Sequence, residues 1–166
     1  MNPPFLSDAT QARFAREVAK YPSEQKQSAV MACLAIVQQE CGYVSAESEK
    51  LIADYLDMEP IAVHEVTSFY NMYNQNPVGK FKLNVCTNLP CQLRDGDRAL
   101  KYLEGKLGIQ MNQTTPDGMF TLQQCECLGA CADSPVILVN DRTMCSFMSN
   151  DKLDQLVDGL RNSGGK

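Results

Sequence analysis

The chain has no Cys-x-x-Cys pair, only one histidine and no run of Lys or Arg in its 166 residues. The first absence excludes a thioredoxin-type dithiol exchange centre. With His64 alone, a cluster of the Rieske sort, which takes two histidines, is excluded as well. A net charge of -5 with no basic patch argues against a polyanion, so nucleic acid is not an expected partner. Neither Gly-x-Gly-x-x-Gly after a strand nor Gly-x4-Gly-Lys-Ser/Thr occurs. Both common cradles for nucleotide phosphates are therefore missing, and no nicotinamide or flavin site is expected in this chain. The most apolar stretch, Ala29 to Val37, falls far short of the roughly 20 residues of a membrane span. The N-terminal MNPPFLSDATQ shows neither a basic region before an apolar one nor an Arg/Ser-rich transit pattern, so the chain is expected to stay in a cytoplasm.

What the chain does have is cysteine: eight in a composition that is otherwise that of a soluble globular protein, 44% hydrophobic and 21% charged. In a reducing compartment these thiols are not presumed to pair as disulfides, so a cluster of them reads first as a metal site or a redox centre.

The spacing of apolar residues divides the chain in two. From Ser7 to Tyr73 it is helical. Asp8, with Gln11 three residues on, caps a first helix carrying Phe14, Val18 and Tyr21, and Pro22 ends it. Ser23 caps a longer second helix with Val30, Leu34, Val37 and Cys41 on one face and Gly42 as its stop. Ser45 caps a third, with Glu47 and Glu49 in its first turn, and Pro60 opens a fourth that runs through Tyr73. Short loops make this an antiparallel bundle or a pair of helical hairpins. The turn-rich NQNPVGK follows, and then the period drops to two: Phe81, Leu83 and Val85 alternate with Lys82 and Asn84. A helix from Pro90 to Leu107 is expected next, with Leu93, Leu100, Leu103 and Leu107 inward and Gly108 as its stop. A strand over MFTLQQCE, a strand VILV, a hairpin turn at Asn140-Asp141 and a partner strand in TMCSFM lead to a last amphipathic helix and a frayed RNSGGK tail. The order β-α-β-β-β-α is that of a compact α/β sandwich. The expected domains are 1-76, a helical bundle, and 77-166, an α/β domain.

Two cysteine pairs fall at strand ends or just beyond, Cys86-x4-Cys91 and Cys127-x3-Cys131. Loops on one sheet edge can converge, so a four-thiolate site is reasonable. Structural zinc prefers two to four residues between paired cysteines, which fits the second pair and puts the first at the edge of the range. A 2Fe-2S core, in which each iron takes two thiolates, suits wider pairs in loops of small residues whose N–H groups can point at sulfur. The loops Thr87-Asn88-Leu89-Pro90 and Leu128-Gly129-Ala130 have that character. The plant-type ferredoxin spacing would need a cysteine at position 94, which is Arg. Spacing therefore favours iron and sulfide, with zinc and uncoordinated thiols still open. Cys125 is expected to be a buried structural thiol, with ligand exchange on loss of Cys127 as the alternative. Core packing is the expectation for Cys33, Cys41 and Cys145, a satisfied or surface position for His64, and for the FYNMY run packing against the first strand of the second domain or against a partner protein.

CTNLPC with ECLGAC, the TPDGMFTL before the second pair, the SPVILVND after it and HEVTSFYNMYNQNPVGK at the junction resemble the thioredoxin-like 2Fe-2S subunit of respiratory NADH:quinone oxidoreductase, complex I. The resemblance runs in order from about residue 10 to residue 160. It implies an α+β chain, an N-terminal four-helix bundle followed by a thioredoxin-like α/β ferredoxin domain. It also implies one 2Fe-2S cluster, of the type called N1a, held by Cys86, Cys91, Cys127 and Cys131 near the flavin of a neighbouring subunit. Pro90 stands where an apolar residue is expected, and suits the start of a helix. The implied partners are an FMN-containing, NADH-binding subunit and the large iron-sulfur subunit of the same peripheral arm, on the cytoplasmic side of a bacterial inner membrane. FMN and NADH would be bound by the partner, and this chain would have no catalytic site of its own. Related hosts are an NAD-linked hydrogenase or formate dehydrogenase; the competing class is a zinc-stabilised interaction module without redox role.

Overall fold

The first helix is capped by Ser7 rather than by Asp8. In the computed structural model, which describes residues 7–164, the Ser7 side chain accepts the Thr10 N–H and α1 runs Asp8–Val18. The chain divides into two units between Pro77 and Val78.

In the first unit the helix expected from Ser23 is split. Gln25 leaves helical geometry at φ -122 and ψ 28, so Ser23–Ala29 winds as a 3-10 helix. Regular α2 begins only at Val30 and ends at Cys41, where Gly42 takes φ 82, a left-handed conformation that costs a residue without Cβ little. The Ser45 side chain accepts the Ser48 N–H at the head of α3, Ala46–Leu56. Pro60 lies in the first turn of α4, Pro60–Phe69. That helix stops short of Tyr73 because Tyr70 turns extended, at φ -92 and ψ 109. The turn that follows brings Tyr73 inward, where its hydroxyl donates to the Met31 carbonyl at 2.8 Å. Within the FYNMY run Tyr73 is buried, while Phe69, Tyr70 and Met72 stay exposed. Phe14, Cys33, Leu34, Ile52, Leu56 and Val63 are fully buried and form the unit's core. Each large side chain buried this way contributes about 1.5–3 kcal/mol. His64 meets the buried Glu49 at 3.0 Å and is a satisfied histidine.

The second unit is one five-stranded sheet with helices on one face. Its strands are β1 Phe81–Cys86, β2 Gln113–Thr114, β3 Phe120–Cys125, β4 Ile137–Val139 and β5 Thr143–Cys145, in the order β2-β3-β1-β4-β5. β1 and β3 run parallel, and the other pairs are antiparallel. Alternate side chains point to opposite faces. Leu83, Val85, Phe120, Leu122, Ile137 and Val139 thus share a core with Leu103 and Leu153 from the helices. The Asn140-Asp141 hairpin takes positive φ at both residues, 51 and 55, the type I′ pattern whose twist matches the strands.

The helix expected from Pro90 to Leu107 is two: α5 Leu89–Gln92 and α6 Gly96–Leu107. Asp95 breaks the run with φ 67. As a result Leu93, expected inward, is 80% exposed, whereas Leu103 and Leu107 are buried. The last helix, α7, runs Asn150–Gly164, so the expected frayed tail is helical over Arg161–Gly164. The Ser163 hydroxyl donates to the Leu160 carbonyl there. Gly165 and Lys166 lie outside the described residues. Among the described residues no helix is long and apolar enough to cross a membrane.

Candidate metal centre

Cys86 ends β1, Cys125 ends β3, and the two are register partners on parallel strands. Parallel strands leave a sheet at the same edge, so the segments after them, residues 87–91 and 126–131, emerge side by side. This is why Cys86 and Cys91 come together with Cys125 at the end of β3, whereas Cys127 and Cys131 lie outside that buried group.

The first segment turns at Asn88, whose carbonyl accepts the Cys91 N–H at 2.8 Å, and enters α5 with Pro90 in its first turn. Cys91 thereby folds back under the strand end. Cys86 and Cys91 are 2% and 1% exposed and share an apolar cluster with Cys125 and Val136, lined by Leu128 and Ala130. In the second segment Gly129 takes φ 69 and its N–H donates to the Cys127 sulfur at 3.4 Å. Cys127 and Cys131 are exposed.

Five hydrogen bonds from four side chains tie the two segments and their flanks together. The Cys86 thiol donates to the Glu126 carbonyl at 3.2 Å, and the Asn88 amide to the Glu126 carboxylate at 3.5 Å. Arg94 Nη1 donates to the carbonyls of Ala132 at 2.8 Å and Cys131 at 3.3 Å. The Ser134 hydroxyl donates to the Cys91 carbonyl at 3.4 Å. None of Arg94, Ser134, Glu126 or Gly96 is singled out by motif spacing. The one signal in the sequence was the Asp95-Gly96 dipeptide, a turn signal inside the supposed helix.

Burial pushes the Cys86 thiol above its ordinary range; the Asn88 and Leu128 N–H groups pull the other way, and the Cys91 thiol adds to the rise. Burial, followed by the nearby charges of Cys86, Cys91, Asp141 and Cys127, pushes Cys125 up to about 12. Cys125 is thus held protonated beside the others. Cys33 is fully buried in the first core, Cys41 packs against it, and Cys145 packs against the second core.

The donor set is sulfur only, in loops that offer backbone N–H groups to sulfur, and it fits an iron-sulfur group. Among the described residues no three His, Cys, Asp or Glu side chains are placed to hold a single metal ion. A binuclear centre does not require that, since each iron takes two thiolates.

A family model described as thioredoxin-like [2Fe-2S] ferredoxin matches residues 14–161. The E-type subunit of NADH-quinone oxidoreductase from Rickettsia conorii is 38% identical over 160 residues, 95% of each chain. NADH-quinone oxidoreductase subunit 2 of Thermus thermophilus is 41% identical over 143 residues, 86% of this chain and 79% of the relative. Among solved structures, an NAD+-reducing [NiFe]-hydrogenase in its H2-reduced state superposes with a TM-score of 0.68 at 18% identity, over 81% of this chain and 22% of the hydrogenase chain. At that identity the likeness is one of fold, and this chain corresponds to only a part of that one.

Proposed function

The chain belongs to the thioredoxin-like [2Fe-2S] ferredoxin family, and from that premise we propose that it is an electron-transfer subunit of an NADH:quinone oxidoreductase, carrying one cluster of the N1a type beside the flavin of an NADH-binding partner. Cys86, Cys91, Cys127 and Cys131 are the ligands in this reading. The observation that supports it most directly is the parallel β1/β3 pair, which sends both cysteine segments off one sheet edge. The relatives named as oxidoreductase subunits, at up to 41% identity, favour that host over an NAD-linked hydrogenase or formate dehydrogenase.

The cluster, when bound, supplies one-electron transfer. The chain's own residues shape the site. Burial of Cys86 and Cys91 keeps water from one side, while exposed Cys127 and Cys131 leave the other side open towards a partner. N–H groups aimed at Cys86 and Cys127 stabilise thiolate charge. In this reading the domain of residues 77-166 holds the cluster and the helical residues 1-76 serve docking. The partners are the FMN-containing, NADH-binding subunit and the large iron-sulfur subunit of the same arm, and the place is the cytoplasmic side of a bacterial inner membrane.

The test is anaerobic reconstitution of the purified chain with iron and sulfide. The expected product is reddish-brown, holds two irons and two sulfides per chain, and gives an EPR signal on reduction. A colourless protein that takes up zinc and refuses iron and sulfide would replace this reading with the interaction module.

A further inference from the structure

Two of the contacts between the cysteine segments run in opposite directions. Arg94, three positions after Cys91, reaches across to the carbonyls of Ala132 and Cys131 at 2.8 and 3.3 Å. Ser134 reaches back from the other segment to the Cys91 carbonyl at 3.4 Å. The Arg94 backbone N–H goes to that same carbonyl at 3.1 Å. The main chains at Cys91 and Cys131 are thus joined by two short bridges, one of which ends in a fixed cation. A guanidinium stays protonated at any pH the protein meets.

We propose that Arg94 is a positioning residue of the cluster site: its guanidinium latches the Cys131 segment to the Cys91 helix, and its charge raises the reduction potential of the cluster held there. This rests on the cluster reading above. The latch matters because Cys131 is exposed and begins a 3-10 turn of only three residues, too short to order itself. Ordering it once, in the folded chain, removes that entropy cost from cluster binding. The charge matters because reduction adds one negative charge to the site, and a nearby cation favours the state that carries it. Arg94 is exposed, so salt must screen this second effect but not the first.

The experiment uses the full chain, reconstituted as wild type, Arg94→Gln, Arg94→Lys and Ser134→Ala. It reads the midpoint potential by EPR-monitored titration at low and high salt, and the rate of iron release to a chelator. Arg94→Gln is expected to lower the potential. At a poise that half-reduces the wild type, its reduced-to-oxidised ratio should fall roughly two- to fivefold, the size of an exposed charge contribution, and the gap should close in high salt. Arg94→Lys keeps the potential but releases iron faster, because the two carbonyls are held by one nitrogen, Nη1, at the end of a planar, pre-organised group, and the shorter, flexible lysine stem does not hold an ammonium in that place. Ser134→Ala releases iron faster with the potential unmoved. Should Arg94→Gln fail to fold, Arg94→Lys and Ser134→Ala still test the latch, and Arg94→Met, read against the wild type at each salt so that the screening of the chain's net charge of -5 is common to both, still tests the charge. Loaded variants with wild-type potential and wild-type iron release overturn the inference. A wild type that takes up no iron and sulfide overturns the cluster reading instead, so the two failures are distinct.

Discussion

A Cβ placed on Gly96 would stand 2.8 Å from the carbonyl oxygen of Cys91 and 3.0 Å from that of Cys86. Both contacts are with backbone, so a flexible tip cannot swing aside to relieve them. Gly96 opens α6 against the backbones of Cys86, at the end of β1, and Cys91, in α5, and the site's shape depends on its having no side chain.

Gly96→Ala is therefore expected to destabilise the second unit by about 1–3 kcal/mol, the usual cost of overpacking, and to lower the iron content after reconstitution. Gly105→Ala is the matched control. It lies in the same helix with nothing within 4 Å of its Cβ position and should stabilise by about 0.5–1 kcal/mol. Urea unfolding of the cluster-free chains and iron-to-protein ratios measure both. Equal effects from the two alanines would show that packing against the cysteine backbones is unimportant.

The cysteines sort into two groups. Serine at Cys86, Cys91, Cys127 or Cys131 should abolish or strongly perturb the visible spectrum, because each thiolate completes the tetrahedron of one iron. Serine at Cys33, Cys41 or Cys145 should leave it intact, since these side chains belong to the two cores. Cys125→Ser should also keep the cluster, although Cys125 lies in the same buried group as Cys86 and Cys91. A normal spectrum in Cys127→Ser with loss in Cys125→Ser would reverse the assignment.

The β-α-β-β-β-α order and the pairing of cysteines with strand ends were legible because alternation and turn residues are local signals. β2 was not, as it has two residues, both exposed, and exists only by pairing with β3. The break between α5 and α6 was misread because four leucines at helical spacing outweighed Asp95-Gly96. The break falls where Asp95 takes φ 67 and where the backbone of Cys86 and Cys91 leaves no room for a side chain at Gly96. The latch was invisible because its acceptors are carbonyls brought near by the fold.

Cys33 makes a prediction about pH that is independent of the cluster. Burial first, then the charge of Glu17, pushes its thiol from an ordinary 9.0 up to about 12. The unfolded chain therefore loses this proton at lower pH than the folded one. Cys33 has no effect on the pH dependence of stability below about pH 9, and from there to about pH 12 stability falls as pH rises. The slope is roughly 1 kcal/mol per pH unit. Urea midpoints of the cluster-free chain and of Cys33→Val, compared across that range, should converge or cross as pH rises. Parallel curves would mean that Cys33 ionises as easily in the folded chain as in the unfolded one.

The last prediction concerns dependence on a flavoprotein. Hydride brings a pair of electrons, and a 2Fe-2S centre takes one, so a flavin must stand between nicotinamide and cluster to divide the pair. The sequence contains neither nucleotide-phosphate motif. The chain's net charge of -5 makes addition of an electron harder, because reduction deepens a negative charge already present. NADH alone is expected to leave the reconstituted chain's visible absorption unchanged, while dithionite bleaches it at least in part. Adding the FMN-bearing subunit should make NADH effective to the extent that the cluster's potential allows. EPR of the reduced protein, recorded with and without that subunit, measures the difference. Prompt reduction of the flavin-free chain by NADH would show that it binds the nucleotide itself and would end its reading as a carrier.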